Sequence, residues 1–211
     1  NAAPAPAPPA AASAGAGTAA PDPGTDADFN AARQAIARHD DHGAASALRR
    51  AEAVLAQASA HAGADVRQAL DAARAGLEHS AQALDRGTQQ SARVLDHAYA
   101  RADHALALAQ REQAAEAWSR QAYRDSGRDL QAAAAHLDSA GDWAGGQAKS
   151  AASADAHAVG DKLARGGTWA RDEVARGFDT LGQGLDALGR AVGVHTAARP
   201  VKLAPPPAHG S

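Results

Sequence analysis

Four consecutive residues, His39-Asp40-Asp41-His42, form the best-placed ligand pair in the chain. If they close a helix, His39 and His42 share one face and can reach one divalent ion. Asp41 and its neighbour would complete or orient such a site, and imidazole donors suit zinc, nickel or copper(II). A closed site needs three or four ligands, and this stretch supplies one pair. The competing reading is a polar helix C-terminus, where histidines favour the negative end of the dipole.

Farther on, Asp96-His97 recurs seven residues later as Asp103-His104. Two helical turns separate these histidines by about 10 Å, so they cannot share one ion. Each would need ligands from a neighbouring helix, such as Glu78-His79. The candidate metal residues are thus His39, Asp41, His42, His79, His97 and His104, arranged as separate sites on a solvated face. No third histidine is expected to reach the first pair.

Other chemistry finds little footing. The chain has no cysteine, which removes thiolate metal sites, iron–sulfur clusters, disulfides and cysteine nucleophiles. It has no glycine-rich phosphate loop, H-E-x-x-H or G-x-S-x-G. Gly166-Gly167-Thr168-Trp169 opens a helix without the lysine or strand of a phosphate loop. Adjacent acids such as Asp40/Asp41 and Asp172/Glu173 point apart on a helix and make no acid–base pair. No catalytic residue is assigned, and the protein is read as a non-enzyme. Arginines such as Arg49, Arg50 and Arg74 alternate with acids, and the net charge is −3, so no nucleic-acid stripe forms.

The elements that must position these residues are helical throughout. The pattern predicts a first helix over 28–42, with Phe29, Ala32 and Ile36 inward and Gly43 just past its end. A second covers 44–61 on Leu48, Ala51 and Leu55, stopping near Gly63. The third, from Asp65 to Gly87, carries Val66, Leu70, Ala73, Leu77 and Leu84 at coiled-coil-like spacing. A fourth, capped by Thr88, holds Leu95, Tyr99, Ala102, Leu106 and Ala109, continues past Trp118 and Tyr123, and ends or kinks at Gly127.

A fifth helix over 128–165 shows a seam of small residues: Leu130, Ala134, Leu137, Gly141, Ala144, Ala148 and Ala151. Gly145-Gly146 weakens its middle. The last helix, opening at 166–169, carries the stripe Val174, Phe178, Leu181, Leu185, Leu188 and Val192. Four glycines, at 177, 182, 184 and 189, interrupt it. Such a helix needs a partner surface, and Trp169, Val174, Phe178, Leu181, Leu185 and Leu188 are assigned to a protein partner or to self-association. Its polar face mixes both charges, which disfavours a membrane surface.

Composition bounds the rest. Hydrophobic residues make up 45% of the chain but aromatics only 3%. Alanine favours helix yet buries little area, so any core must be thin and closely spaced. Protonating all ten histidines would take the formal charge from −3 to +7, so acid changes this surface strongly. Residues 1–27 are Ala/Pro-rich and read as a disordered tether, and 197–211 as a disordered tail. The opening resembles the region that follows an export signal, which implies a periplasmic or secreted protein.

The stretch ARQAIARHDDHGAASALRRAEAVLAQA, residues 32–58, resembles two groups of bacterial helical proteins. One is the YfdX-like periplasmic stress proteins; the other is the His-rich small metal-binding four-helix periplasmic proteins. The second resemblance, extended loosely over 28–110, implies metal-binding roles for His39, His42, His79, His97 and His104. The expectation is an all-α antiparallel bundle over 28–126, a longer C-terminal helical hairpin over 127–196, and disordered tails. Its function would be stress-related protein interaction with pH- or metal-responsive histidines. A dedicated zinc, copper or nickel binder, or an apolipoprotein-like lipid-surface binder, are the alternatives.

Overall fold

The computed structural model describes residues 23–88, 90–145, 151–194, 196–201 and 203. These form an all-α bundle of α1 (Pro23–Ala37), α2 (Asp41–His61), α3 (Ala64–Asp85), α4 (Ala92–Ser119), α5 (Tyr123–Trp143), α6 (Ala151–Ala164) and α7 (Arg171–Ala191). Residues 1–22 and 204–211, where most of the expected tails fall, lie outside the described residues.

Neighbouring helices run antiparallel. Between α2 and α3, Glu52 pairs with Arg74 and Ser59 with Asp71. Between α4 and α5, Tyr99 meets Trp143 and Trp118 meets Tyr123. Between α6 and α7, Val159 faces Gly177 and Lys162 pairs with Glu173. Most of the expected inward residues are buried, from Phe29, Leu48 and Leu70 through Tyr99, Leu106 and Leu137 to Phe178 and Val192. Ile36 and Val66 are half-buried, Ala144 is exposed, and the side chains of Ala148 and Ala151 lie outside the described residues.

The core is one connected cluster, so the 28–126 bundle and the C-terminal helices share it. The central element is α4, which touches α2, α3, α5 and α7 and meets α1 through stacked rings. Phe29, Tyr99 and Trp143 join α1, α4 and α5 near one end, and Trp118, Tyr123 and Trp169 pack together near the other. The stripe assigned to an outside partner is buried instead: Val174, Phe178, Leu181, Leu185 and Leu188 face the molecule's own core, and Trp169 is half-buried. Their partner surface is supplied internally by α4, α5 and α6.

Several boundaries differ from those expected. The first helix ends at Ala37, and a left-handed His39 (φ 58°) breaks the chain before α2 begins at Asp41. The amides of His39 and Asp40 return to the carbonyls of Ile36 and Ala35, the bonding of a helix stop that usually carries glycine. Gln121 (φ 63°) ends α4 the same way, with Gln121 and Ala122 bonding Trp118 and Ala117. Ser91, not Thr88, caps α4, its hydroxyl accepting from the Val94 amide.

Gly127 ends nothing. It lies inside α5, where a Cβ would stand 2.5 Å from the Ala164 nitrogen and 2.6 Å from the Gly160 oxygen. The single helix expected over 128–165 is two, α5 and α6, whose backbones approach at Gly127 and Gly160. Of the tail expected over 197–211, residues 197–201 and 203 form an extended strap on the bundle, with Leu203 buried.

The two kinds of glycine separate experimentally. Gly127→Ala should lower unfolding free energy by about 1–3 kcal/mol, because main chain cannot yield to the methyl group. Gly76→Ala, with nothing within 4 Å of the added carbon, should raise it by about 0.5–1 kcal/mol. Urea unfolding of both variants checks this; similar effects would mean that α5 and α6 are not in backbone contact.

Candidate functional site: the buried polar groups of the central helix

The expected metal residues are dispersed. His39 sits in the left-handed turn, and Asp40 caps α2 by accepting from the Gly43 amide at 2.8 Å. His39 and His42 therefore do not share a helical face. His42 is exposed, with Nδ1 3.7 Å from Asp85, a residue also held by Arg49. That guanidinium holds the Asp85 carboxyl below its ordinary range. Asp41 is half-buried at the start of α2, and His79 and His97 are exposed. Among the described residues no three His, Asp or Glu side chains group to hold a metal ion.

His104 has a different role. It is fully buried, and its Nε2 lies 2.9 Å from the Leu185 carbonyl of α7. A carbonyl only accepts, so Nε2 carries the proton and Nδ1 is bare. Nδ1 is buried without a hydrogen-bond partner among the described residues. Burial pushes the imidazole below its ordinary value, against the opposing pull of the Leu185 carbonyl and Asp186.

One register further along α4, Arg111 repeats the arrangement. Its Nε donates to the Phe178 carbonyl at 3.1 Å and its Nη1 to the Arg199 carbonyl at 2.8 Å. Arg101, on the same face, donates to the Val192 carbonyl at 2.8 Å. The glycines of α7 make room for this. Gly182 follows Phe178 by four residues and Gly189 follows Leu185 by four. A Cβ on them would lie 3.0 Å from Arg111 Nη2 and 3.0 Å from His104 Nε2. Glycines that looked like flaws in the last helix are notches through which polar side chains of α4 reach main-chain oxygen.

The opposite face of α4 carries a second buried polar group. Asp103, wholly buried, accepts from His136 Nδ1 of α5 at 3.0 Å. Ser139, three residues on, donates to Asp26 of α1 at 2.7 Å. Burial pushes the Asp103 carboxyl up to about 6, the His136 contact pulls it down, and Asp26 adds a smaller upward push. Asp26 Oδ1, the Thr25 hydroxyl and the Tyr99 hydroxyl are buried without hydrogen bonds among the described residues. Two buried titratable groups, adjacent in sequence, thus contact different helices, Asp103 facing α5 and His104 facing α7.

Of the expected metal residues, only His104 enters this set, joined by the carbonyls of Phe178 and Leu185 from the expected interaction stripe; Asp103, Arg101, Arg111 and His136 are not among the expected site residues. A usable signal was present: His104 and Arg111 are seven apart, and so are Gly182 and Gly189. Compared with protein-family models, curated proteins and solved structures, the chain matches none of them.

Burial of Asp103 ties its proton uptake to folding. Its folded form holds a proton that the unfolded chain releases near 3.8, so its contribution to stability falls as pH rises from about 4 to 6. Asp103→Asn keeps an acceptor for His136 and removes that dependence. Urea unfolding should show wild type losing ground to Asp103→Asn across this window and holding a constant difference above it. A difference that stays flat throughout would mean that Asp103 is hydrated.

Proposed function

We propose that this chain is a non-enzymatic protein-interaction module whose C-terminal helix is held closed at neutral pH and loosened by acid. The observation that supports it is the buried neutral His104 donating to the Leu185 carbonyl with Nδ1 unpartnered. Protonation would place a charge and a second N–H in a site that offers Nδ1 no acceptor among the described residues.

The groups facing His104 are few. Asp186 on α7 favours its charged form, and Arg101 on α4 shares its cleft. Near it α3 contributes Gln68 and alanines, and the segment after α7 contributes Val194 and Thr196. Because the folded pKa is lowered, the contribution of His104 to stability is complete above about 6.5 and is lost as pH falls below it. The consequence for binding lies in α7. Detaching it would uncover Val174, Phe178, Leu181, Leu185 and Leu188, a continuous apolar stripe able to enter a partner's groove. A stress-related role, implied by the resemblance over residues 32–58, fits an acid-opened surface.

Hydrogen exchange, corrected for intrinsic rates, tests the proposal between pH 7.5 and 5. Protection in α7 should fall below pH 6.5 while α2 and α3 stay protected, and His104→Gln should remove the pH dependence in α7. Unchanged protection in α7, or loss spread evenly over the bundle, would contradict it.

A further inference from the structure

The extended strap formed by residues 196–201 and 203 lies along α4 between α3 and α7, and the way it is held says what the groove recognises. Arg111 donates to the Arg199 carbonyl at 2.8 Å and Arg171 to the Leu203 carbonyl at 2.7 Å. The Asp186 carboxylate accepts from the Ala198 amide at 2.7 Å. All three are contacts to main chain, so they tolerate many side chains. Two side chains add register: Leu203 is buried, and Arg199 pairs with Asp65 at the start of α3.

Space remains around the strap. A cleft of about 360 Å³ lies between α3, α4 and residues Gly193, Val194 and Thr196, lined by Ala69, Ala73, Arg101 and His104. A second, of about 320 Å³, lies beneath residues 197–201 and is lined by Val66, Leu108, Arg111 and Ala115. Pro200 cannot donate a backbone hydrogen bond, and Ala197 and Ala198 present little surface. An extended, proline-containing chain with small residues at 197 and 198, a half-buried aliphatic at 201 and a buried aliphatic anchor at 203 is therefore what the groove accepts. Main-chain pairing plus one side-chain pocket is a recurring way to bind extended peptides.

We propose that the α3/α4/α7 groove is a peptide-binding site for extended segments of this chemistry in other polypeptides, and that residues 196–201 and 203 occupy it in cis. The inference deepens the reading of the chain as an interaction module by naming the partner class. It is tested at pH 7.5, where His104 is neutral, so its outcome is independent of the acid response. A partner segment displaces the strap by making the same three main-chain contacts and filling the place of Leu203. The cis strap sets a threshold, because its high effective concentration must be overcome.

The test uses the full chain and a fluorescent synthetic peptide of residues 196–207, TAARPVKLAPPP. Leu203→Asp should release the strap's anchor, so the variant should bind the peptide about tenfold more tightly than wild type. A peptide carrying Leu203→Asp should not bind. Adding Asp65→Lys to the variant should weaken binding about threefold, as expected for an exposed ion pair. A peptide with Arg199→Glu should restore it, which fixes the register. If Leu203→Asp loses helix by circular dichroism, Leu203→Ala serves with the same expectation. Equal affinity of wild type and the folded variant, or no saturable binding to that variant, overturns the proposal. Concentration-dependent dimers of wild type that Leu203→Asp abolishes also overturn it, by assigning the groove to strap exchange between copies.

Discussion

The constraint on which the rest depends is how little apolar surface an alanine-rich helix can bury. A methyl group removes too little area from water to hold two helices together at ordinary spacing. The chain meets this by bringing backbones close, as at Gly127 and Gly160, and by letting long polar side chains of α4 bond main-chain oxygen of α7. The second device needs glycine four residues beyond each carbonyl, which Gly182 and Gly189 supply. All the aromatic residues but Phe178 gather in two clusters that pin the ends of α4: Phe29, Tyr99 and Trp143, and Trp118, Tyr123 and Trp169.

Holding helices by polar contacts has a consequence for pH. Asp103 and His104 are consecutive, so on α4 they point toward different neighbours, Asp103 toward α1 and α5 and His104 toward α7. Both are buried, and burial disfavours the charged form of each. For the acid this raises the proton affinity and for the base it lowers it. Acid therefore strengthens the contribution of Asp103 and weakens that of His104. Global stability can change little while the balance between the two interfaces shifts, which is the behaviour a local opening requires.

Much of the fold was legible because apolar spacing survives in an alanine background. Phe29, Leu48, Leu70, Leu95, Leu130 and Val174 lie where their helical stripes place them. What escaped was punctuation. His39 and Gln121 take left-handed conformations at helix ends, so stops with no glycine left no mark, and Gly127, Gly182 and Gly189 looked like breaks although they serve packing. The same error hid the site. Reading His39 to His42 as one helical turn created a ligand pair that the turn separates, with Asp40 spent on capping α2. His104 was expected on a solvated face because an imidazole bonded to another helix's backbone has no local sequence signature. Only the matched seven-residue spacing on α4 and α7 records it.

The most direct test of this account is a double-mutant cycle between Arg111 and Gly182, read by urea unfolding at pH 7.5. If Arg111 occupies the notch, Gly182→Ala should destabilise wild type. In an Arg111→Ala background it should be neutral or stabilising, because the methyl group then fills vacated space and favours helix. The predicted coupling is about 1 kcal/mol or more. A cost for Gly182→Ala that is the same in both backgrounds, within about 0.5 kcal/mol, would contradict the claim that α4 holds α7 through its glycine-exposed carbonyls.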